Sequence, residues 1–158
     1  MSKGLSFLLL LWFFSGTPIM ASATSLHPQV AKWIESQQPP AGVVFELLSR
    51  EPHFIEKRTP YIETQIVALK QAFAELDIVI ISHGRELNAL TLAQQTQPYM
   101  QTFKNLSRQG VNIHVCEVVA ARLNKTADDF PRFIDVTPSG TAQLNDYKQL
   151  GYSLIRVP

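Results

Sequence analysis

Apolar runs of strand length alternate with segments of helical periodicity along most of the chain. The clearest run covers residues 77–82, where Asp77 and Ser82 flank four consecutive aliphatic residues. A continuous apolar run of this kind is typical of a parallel strand that helices cover on both faces. Comparable runs predict further strands, and the five together cover residues 43–48, 77–82, 111–116, 133–136 and 152–157.

The segments between these runs predict helices. Thr59 is a good N-cap and Pro60 a good first helical residue, so we expect one helix to begin there. The apolar residues that follow are spaced by three or four positions, as on one face of a helix. They are Ile62, Ile66, Leu69 and Phe73. Further helices are expected over residues 86–95, 99–108, 117–123 and 138–150.

Strands that alternate with helices in this way predict an α/β fold with a mostly parallel sheet, because parallel neighbours need helical crossovers. Functional sites in such folds lie at the carboxyl ends of the strands. Three candidate positions fall there: Ser49, residues 82–84 and Cys116.

Residues 1–23 are predicted to be a signal peptide. Lys3 supplies a positive charge, residues 5–14 form an apolar stretch, and residues 21–23 form a small-x-small cleavage site. The apolar stretch of about ten residues is shorter than the roughly 20 that span a bilayer. An uncleaved membrane anchor is the alternative. Cleavage near Ala23 predicts a periplasmic protein with no stable membrane insertion.

Composition narrows the class of protein. A chain with 46% hydrophobic and 17% charged residues is too apolar to be disordered, and a net charge of +1 argues against a nucleic-acid partner. Loss of Lys3 with the signal peptide would make the basic residues equal in number to the 13 acidic ones. The length predicts one main domain over residues 42–158, after an N-terminal arm over residues 24–41.

Cys116 is the single cysteine of the chain and its strongest candidate for chemistry. It has no partner for a disulfide within the chain, and export would place it in an oxidising compartment. A helix expected to begin at Glu117 would stabilise a thiolate through its N-terminus, whereas the carboxylate of Glu117 would oppose this. The alternative is a buried cysteine that acts as a small apolar side chain.

Two histidines accompany this cysteine. His83 ends the clearest strand and could orient or protonate a sulfur species, with Ser82 or Glu86 as its hydrogen-bond partner; the alternative is a histidine that only caps the strand. His114 lies two residues before Cys116 and shares its strand face. These two histidines and the cysteine could bind a metal weakly, although the spacings of common zinc sites are absent.

The order and spacing of these motifs resemble the DsrE/DsrF-like family of small sulfur-relay proteins, especially its exported single-domain members. The matching motifs lie at residues 43–47, 78–84, 110–116 and 139–158. The resemblance covers residues 42–158. It implies a three-layer α/β sandwich with a mostly parallel five-stranded sheet, assembled into homotrimers or homohexamers.

The resemblance also implies a function. In members that keep the cysteine after the third strand, it carries sulfur as a persulfide, and this position matches Cys116. The family's His-Gly turn matches His83 and Gly84. We therefore expect an exported sulfur carrier or sulfurtransferase in which Cys116 and His83 are catalytic and no cofactor is needed. Its partners would be a sulfur donor or acceptor protein, or a small thiol.

One departure from the family favours an alternative function. The family cysteine is commonly followed by Gly-Asn-Thr, whereas residues 117–119 of this chain are Glu-Val-Val. Without that flexible turn, the cysteine could be structural. The protein would then be a non-catalytic oligomeric binding module.

Overall fold

Five parallel strands form the centre of the molecule in the computed structural model, which describes residues 25–158. Their order in the sheet is β4-β3-β2-β1-β5, and every neighbouring pair is parallel. The predicted α/β class with a five-stranded parallel sheet is therefore confirmed. The strands are β1 (Val43–Leu47), β2 (Ile78–Ser82), β3 (Val111–Cys116), β4 (Asp135–Thr137) and β5 (Ser153–Arg156).

Helices cover the two faces of the sheet unequally. The main core fills one face and includes buried side chains of α1 to α4, whereas α5 packs on the other face over a small cluster. The buried members of that cluster are Val44, Val79, Ile81 and Leu144. The helices are α1 (Pro28–Ser36), α2 (Phe54–Ala72), α3 (Pro98–Arg108), α4 (Glu117–Arg122) and α5 (Gly140–Gln149).

The predicted signal peptide over residues 1–23 lies outside the described residues. Within residues 25–158, no helix has both the length and the apolar character of a membrane span. The segment predicted as an N-terminal arm contains α1, and Val30 in that helix is fully buried in the main core.

The start of α2 corrects the sequence prediction. This helix begins at Phe54 rather than at Thr59, and Pro60 lies in its interior. The earlier start lets Phe54 and Ile55 pack in the core, where both are buried. Burial of two such side chains contributes about 2 kcal/mol each, which offsets the cost of about 3 kcal/mol for a proline inside a helix. The hydroxyl of Thr59 donates to the carbonyl of Ile55 at 2.6 Å.

The segment predicted to be helical over residues 86–95 is helical, but not as one continuous helix. Two short 3₁₀ helices occupy this region, at Arg85–Leu90 and Leu92–Gln94, with Thr91 extended between them. Leu87 and Leu90 are three residues apart and both are fully buried. A three-residue repeat places side chains on one side of a 3₁₀ helix, so this conformation buries both leucines.

The carboxylate of Glu86 joins the loops that follow β1 and β2. It is buried and accepts hydrogen bonds from the backbone N–H of Ser49 at 2.7 Å, the hydroxyl of Ser82 at 2.7 Å and the backbone N–H of Gly84 at 2.9 Å. A Cβ atom at Gly84 would collide with this carboxylate. The two loops, and His83 between Ser82 and Gly84, are therefore held in one arrangement.

Replacing Glu86 should destabilise the protein strongly. The substitution Glu86→Ala leaves three donors without their charged acceptor, and we expect the free energy of unfolding to fall by about 3 kcal/mol or more. Glu75→Ala is the matched control, because Glu75 is an exposed carboxylate and its loss should change stability by less than about 0.5 kcal/mol. Denaturant unfolding measures both values. Equal effects of the two substitutions would contradict this role of Glu86.

Candidate functional site

Polar and reactive side chains line up across the carboxyl edge of the sheet, on the face that α5 covers. Glu46 in β1 is paired in register with Arg156 in β5, and Cys116 in β3 with Thr137 in β4. His83 directly follows β2, at the point where its pairing with β3 ends. Because neighbouring strands are about 5 Å apart, His83 and Cys116 lie side by side. The row therefore brings together the two residues that the sequence analysis proposed as catalytic.

The first residue of α5 lies directly over this pair. A Cβ atom on Gly140 would be 2.7 Å from Cβ of His83 and 3.2 Å from Cβ of Cys116, so a larger residue would displace one of them. Ser139 caps the helix, and its hydroxyl accepts a hydrogen bond from the N–H of Ala142 at 3.3 Å. Glycine at the start of α5 thus allows the helix to cover the histidine and the cysteine closely.

Glu46 is the hydrogen-bond partner of His83. Its Oε1 lies 2.9 Å from Nε2 of His83, and its Oε2 accepts a hydrogen bond from Nε of Arg156 at 2.6 Å. An ionised carboxylate can only accept, so Nε2 of His83 carries the proton in this contact. In the neutral ring the other nitrogen, Nδ1, is then a proton acceptor.

The charge of Glu46 is retained although the residue is buried. Burial by itself would raise the pKa of Glu46, but the hydrogen bonds and charges of Arg156 and His83 together hold this pKa below the ordinary value of 4.5. Glu46 is therefore an anion at neutral pH, and it stabilises a proton on the His83 ring.

The sequence analysis missed Glu46. It named Ser82 or Glu86 as the partner of His83, but these two side chains bond to each other at 2.7 Å. A signal was present, because Glu46 is the one charged residue in the apolar run at residues 43–48. A charge inside a buried strand needs a partner, although the sequence does not say which one.

His114 shares the sheet face of Cys116 and is paired in register with Asp135. Burial lowers the pKa of His114, and the charge of Asp135 opposes this only in part, so the ring is neutral at neutral pH. In the part of the chain that the structure describes, no group of three or more His, Cys, Asp or Glu side chains is arranged to hold a metal. The alternative of a metal site at His83, His114 and Cys116 therefore gains no support from the geometry.

Cys116 is a free thiol that is only 5% exposed. Helix α4 begins at Glu117, directly after it, as the sequence predicts, and is six residues long. A cavity of about 630 Å³ opens at the same edge of the sheet, and His83 forms part of its wall. A thiol beside a histidine that can accept a proton is an arrangement suited to forming a nucleophilic thiolate.

Solved structures of two other proteins share this fold. A protein of unknown function from Methanobacterium thermoautotrophicum, MTH1491, is 21% identical in sequence with a TM-score of 0.62; the match covers 72% of this chain and 96% of that one. The ychN protein from E. coli is 11% identical with a TM-score of 0.58, over 73% and 97% of the two chains. At such low identity the likeness shows the fold alone.

Sequence comparison assigns the family. Comparison with curated proteins finds no match. The DsrE/DsrF-like family model matches residues 43–157, which include all five strands and the row of side chains at their carboxyl edge. The resemblance seen in the sequence motifs is thereby confirmed, and the chain belongs to the DsrE/DsrF-like family.

Proposed function

We propose that this protein carries sulfane sulfur as a persulfide on Cys116. The observation that carries the proposal is the placement of His83 beside Cys116, with Glu46 bonded to Nε2 of the histidine ring. Membership of a family of sulfur-relay proteins supports the same chemistry. Whether the protein acts as a carrier or as a sulfurtransferase depends on the acceptor that removes the sulfur.

The proposed transfer is a thiol–persulfide exchange. His83 takes the thiol proton of Cys116, and the resulting thiolate attacks the outer sulfur of a donor R–S–SH. A bond forms between the two sulfurs, the donor S–S bond breaks, and R–S⁻ leaves with the electron pair. Cys116 then holds –S–SH, with the original proton of the donor on the terminal sulfur. Attack by an acceptor thiolate on that terminal sulfur reverses the process and regenerates the Cys116 thiolate.

Glu46 supports this step as a positioning residue. Its contact with Nε2 fixes the orientation of the His83 ring, and its charge stabilises the ring when it holds two protons. Arg156 in turn satisfies the second carboxylate oxygen at 2.6 Å. Side chains of β5 and β1 thus support the histidine that follows β2.

We further propose that residues 1–23 are removed near Ala23, that the protein acts in the periplasm, and that it forms a homotrimer or homohexamer. The charge and apolar pattern of the first residues support export, and the family resemblance supports the oligomer.

The intact mass of the protein recovered from a periplasmic extract should therefore match a chain that begins at Thr24. Sedimentation of this protein should give three or six subunits. A retained N-terminal segment would contradict cleavage, and a monomer at micromolar concentration would contradict the assembly.

A non-catalytic binding module is the second candidate. The low exposure of Cys116, at 5%, favours it, because a structural cysteine packs in this way. In this case the thiol would resist modification in the folded protein, and Cys116→Ala would leave partner binding intact.

Mass spectrometry after exposure to a persulfide donor separates the two candidates. We expect the folded protein to gain about 32 Da, the mass of one sulfur atom, on the peptide that contains Cys116. Cys116→Ser should gain nothing. Failure of the native protein to gain this mass, under conditions that modify a known low-pKa thiol, would reject the persulfide carrier and leave the binding module.

Glu46→Gln should slow persulfide formation while preserving the size of the side chain. Loss of the charge behind His83 is expected to lower the rate at neutral pH about tenfold or more. Asp77→Asn is the matched control, because Asp77 accepts a hydrogen bond from Tyr152 at 2.5 Å but lies before β2, at the opposite edge of the sheet. Equal rates for native protein and Glu46→Gln would remove Glu46 from the mechanism.

Glu46→Gln should also change how the free energy of unfolding depends on pH. Because the pKa of Glu46 is lowered by folding, its contribution to stability is complete above the ordinary value of 4.5 and is lost as pH falls through the lower folded-state value. The unfolding free energy of the native protein should therefore decline more steeply with acid below 4.5 than that of Glu46→Gln. Parallel declines would contradict the ionised state of Glu46.

A further inference from the structure

The cavity beside His83 is surrounded by arginines. Arg50 comes from the loop after β1, Arg85 from the loop after β2, and Arg122 from the end of α4. No acidic residue of the described chain lines this cavity. Three arginines from three separate segments therefore line one space at the carboxyl edge of the sheet.

The two buried carboxylates near this edge of the sheet, Glu46 and Glu86, are already engaged by other groups. Within residues 25–158, the ion pairs of Asp and Glu involve basic residues other than these three arginines. Glu46 is bonded to Arg156 and His83, and the oxygens of Glu86 accept three hydrogen bonds. The arginines of the cavity thus keep their positive charge free for a ligand. Guanidinium groups bind carboxylates and related anions through paired, charge-assisted hydrogen bonds.

The remaining wall of the cavity favours an organic ligand over a bare inorganic ion. Leu48, Val119 and Leu123 contribute apolar side chains, and Leu48 is 56% exposed. Covering such a side chain with an apolar group is favourable. The volume of about 630 Å³ is within the range of small-molecule sites.

The cavity also lies next to the reactive pair. His83 is both a wall residue and the neighbour of Cys116, and Val119 is three residues beyond Cys116, within about one helical turn. Cys116 is only 5% exposed and does not itself line the cavity, so a molecule in the cavity meets His83 first. A compact molecule is better able to pass from there to the thiol than the surface of a folded protein.

We infer that this cavity binds a small organic anion that bears sulfane sulfur, such as the persulfide of a carboxylate-containing thiol. The inference rests on the proposed function and names its substrate class. The arginines hold the carboxylate, the apolar wall covers the carbon skeleton, and the outer sulfur is presented to Cys116. In the exchange described above, the leaving R–S⁻ adds a second negative charge, which the same arginines stabilise.

Binding can be measured without any reaction at the thiol. The probe is 2-nitro-5-(methylthio)benzoate, an unreactive organic anion, and its uncharged methyl ester is the matched ligand. Calorimetry uses protein that carries Cys116→Ser, so persulfide chemistry does not contribute. We expect the carboxylate to bind at least about tenfold more tightly than the ester, and added salt to weaken the carboxylate alone.

Variants locate the site. Arg85→Gln and Arg122→Gln should each weaken carboxylate binding about tenfold, whereas Arg108→Gln, at the exposed end of α3, should have no effect. Equal affinity for the carboxylate and the ester, or unchanged affinity in both cavity variants, would overturn the inference. If the protein prefers the carboxylate and the two arginine variants bind it more weakly, the site is supported even when Cys116 takes up no sulfur. That combination would reject only the persulfide chemistry and assign the cavity to an anion-binding module.

Discussion

The buried carboxylate of Glu46 is the interaction on which the site depends. Moving a charge out of water costs several kcal/mol unless well-placed partners compensate for it. Here the partners come from both neighbouring strands, Arg156 on one side and His83 on the other. The two contacts depend on each other, because loss of either partner leaves one oxygen of the buried Glu46 carboxylate without a hydrogen bond. The positions of the histidine and of the strand that carries the arginine are therefore linked through one side chain near the carboxyl edge of the sheet.

The unequal covering of the sheet explains why polar groups collect where they do. Four helices pack on the face that holds the main core, where a polar residue would displace apolar contacts. The other face is covered by the ten residues of α5. Near the carboxyl edge the first residue of this helix, Gly140, lies above the histidine and the cysteine. The chain can therefore hold titratable groups at low exposure without interrupting its core.

Features that depend on residues close together in the chain could be predicted from the sequence, whereas those that depend on distant residues could not. The strands could be predicted because a continuous apolar run is a local signal, and the cap at Ser139 is equally local. The start of α2 could not, because it depends on the burial of Phe54 against distant elements. Glu46 and Arg156 are 110 residues apart and meet only because β5 pairs with β1, an arrangement set by the order of strands in the sheet. His83 and Cys116 could be proposed individually from the sequence, whereas their placement side by side depends on the register of β2 and β3.

The position of β5 has a consequence for the order of folding. β1 and β2 are close in the chain and can pair early, but the contact of β1 with β5 closes a long loop, and such contacts form slowly. Until β5 docks, Glu46 lacks its guanidinium partner, and a sheet that buried it would favour the protonated acid. Docking of the last strand is therefore the step that gives the Glu46 carboxylate its guanidinium partner.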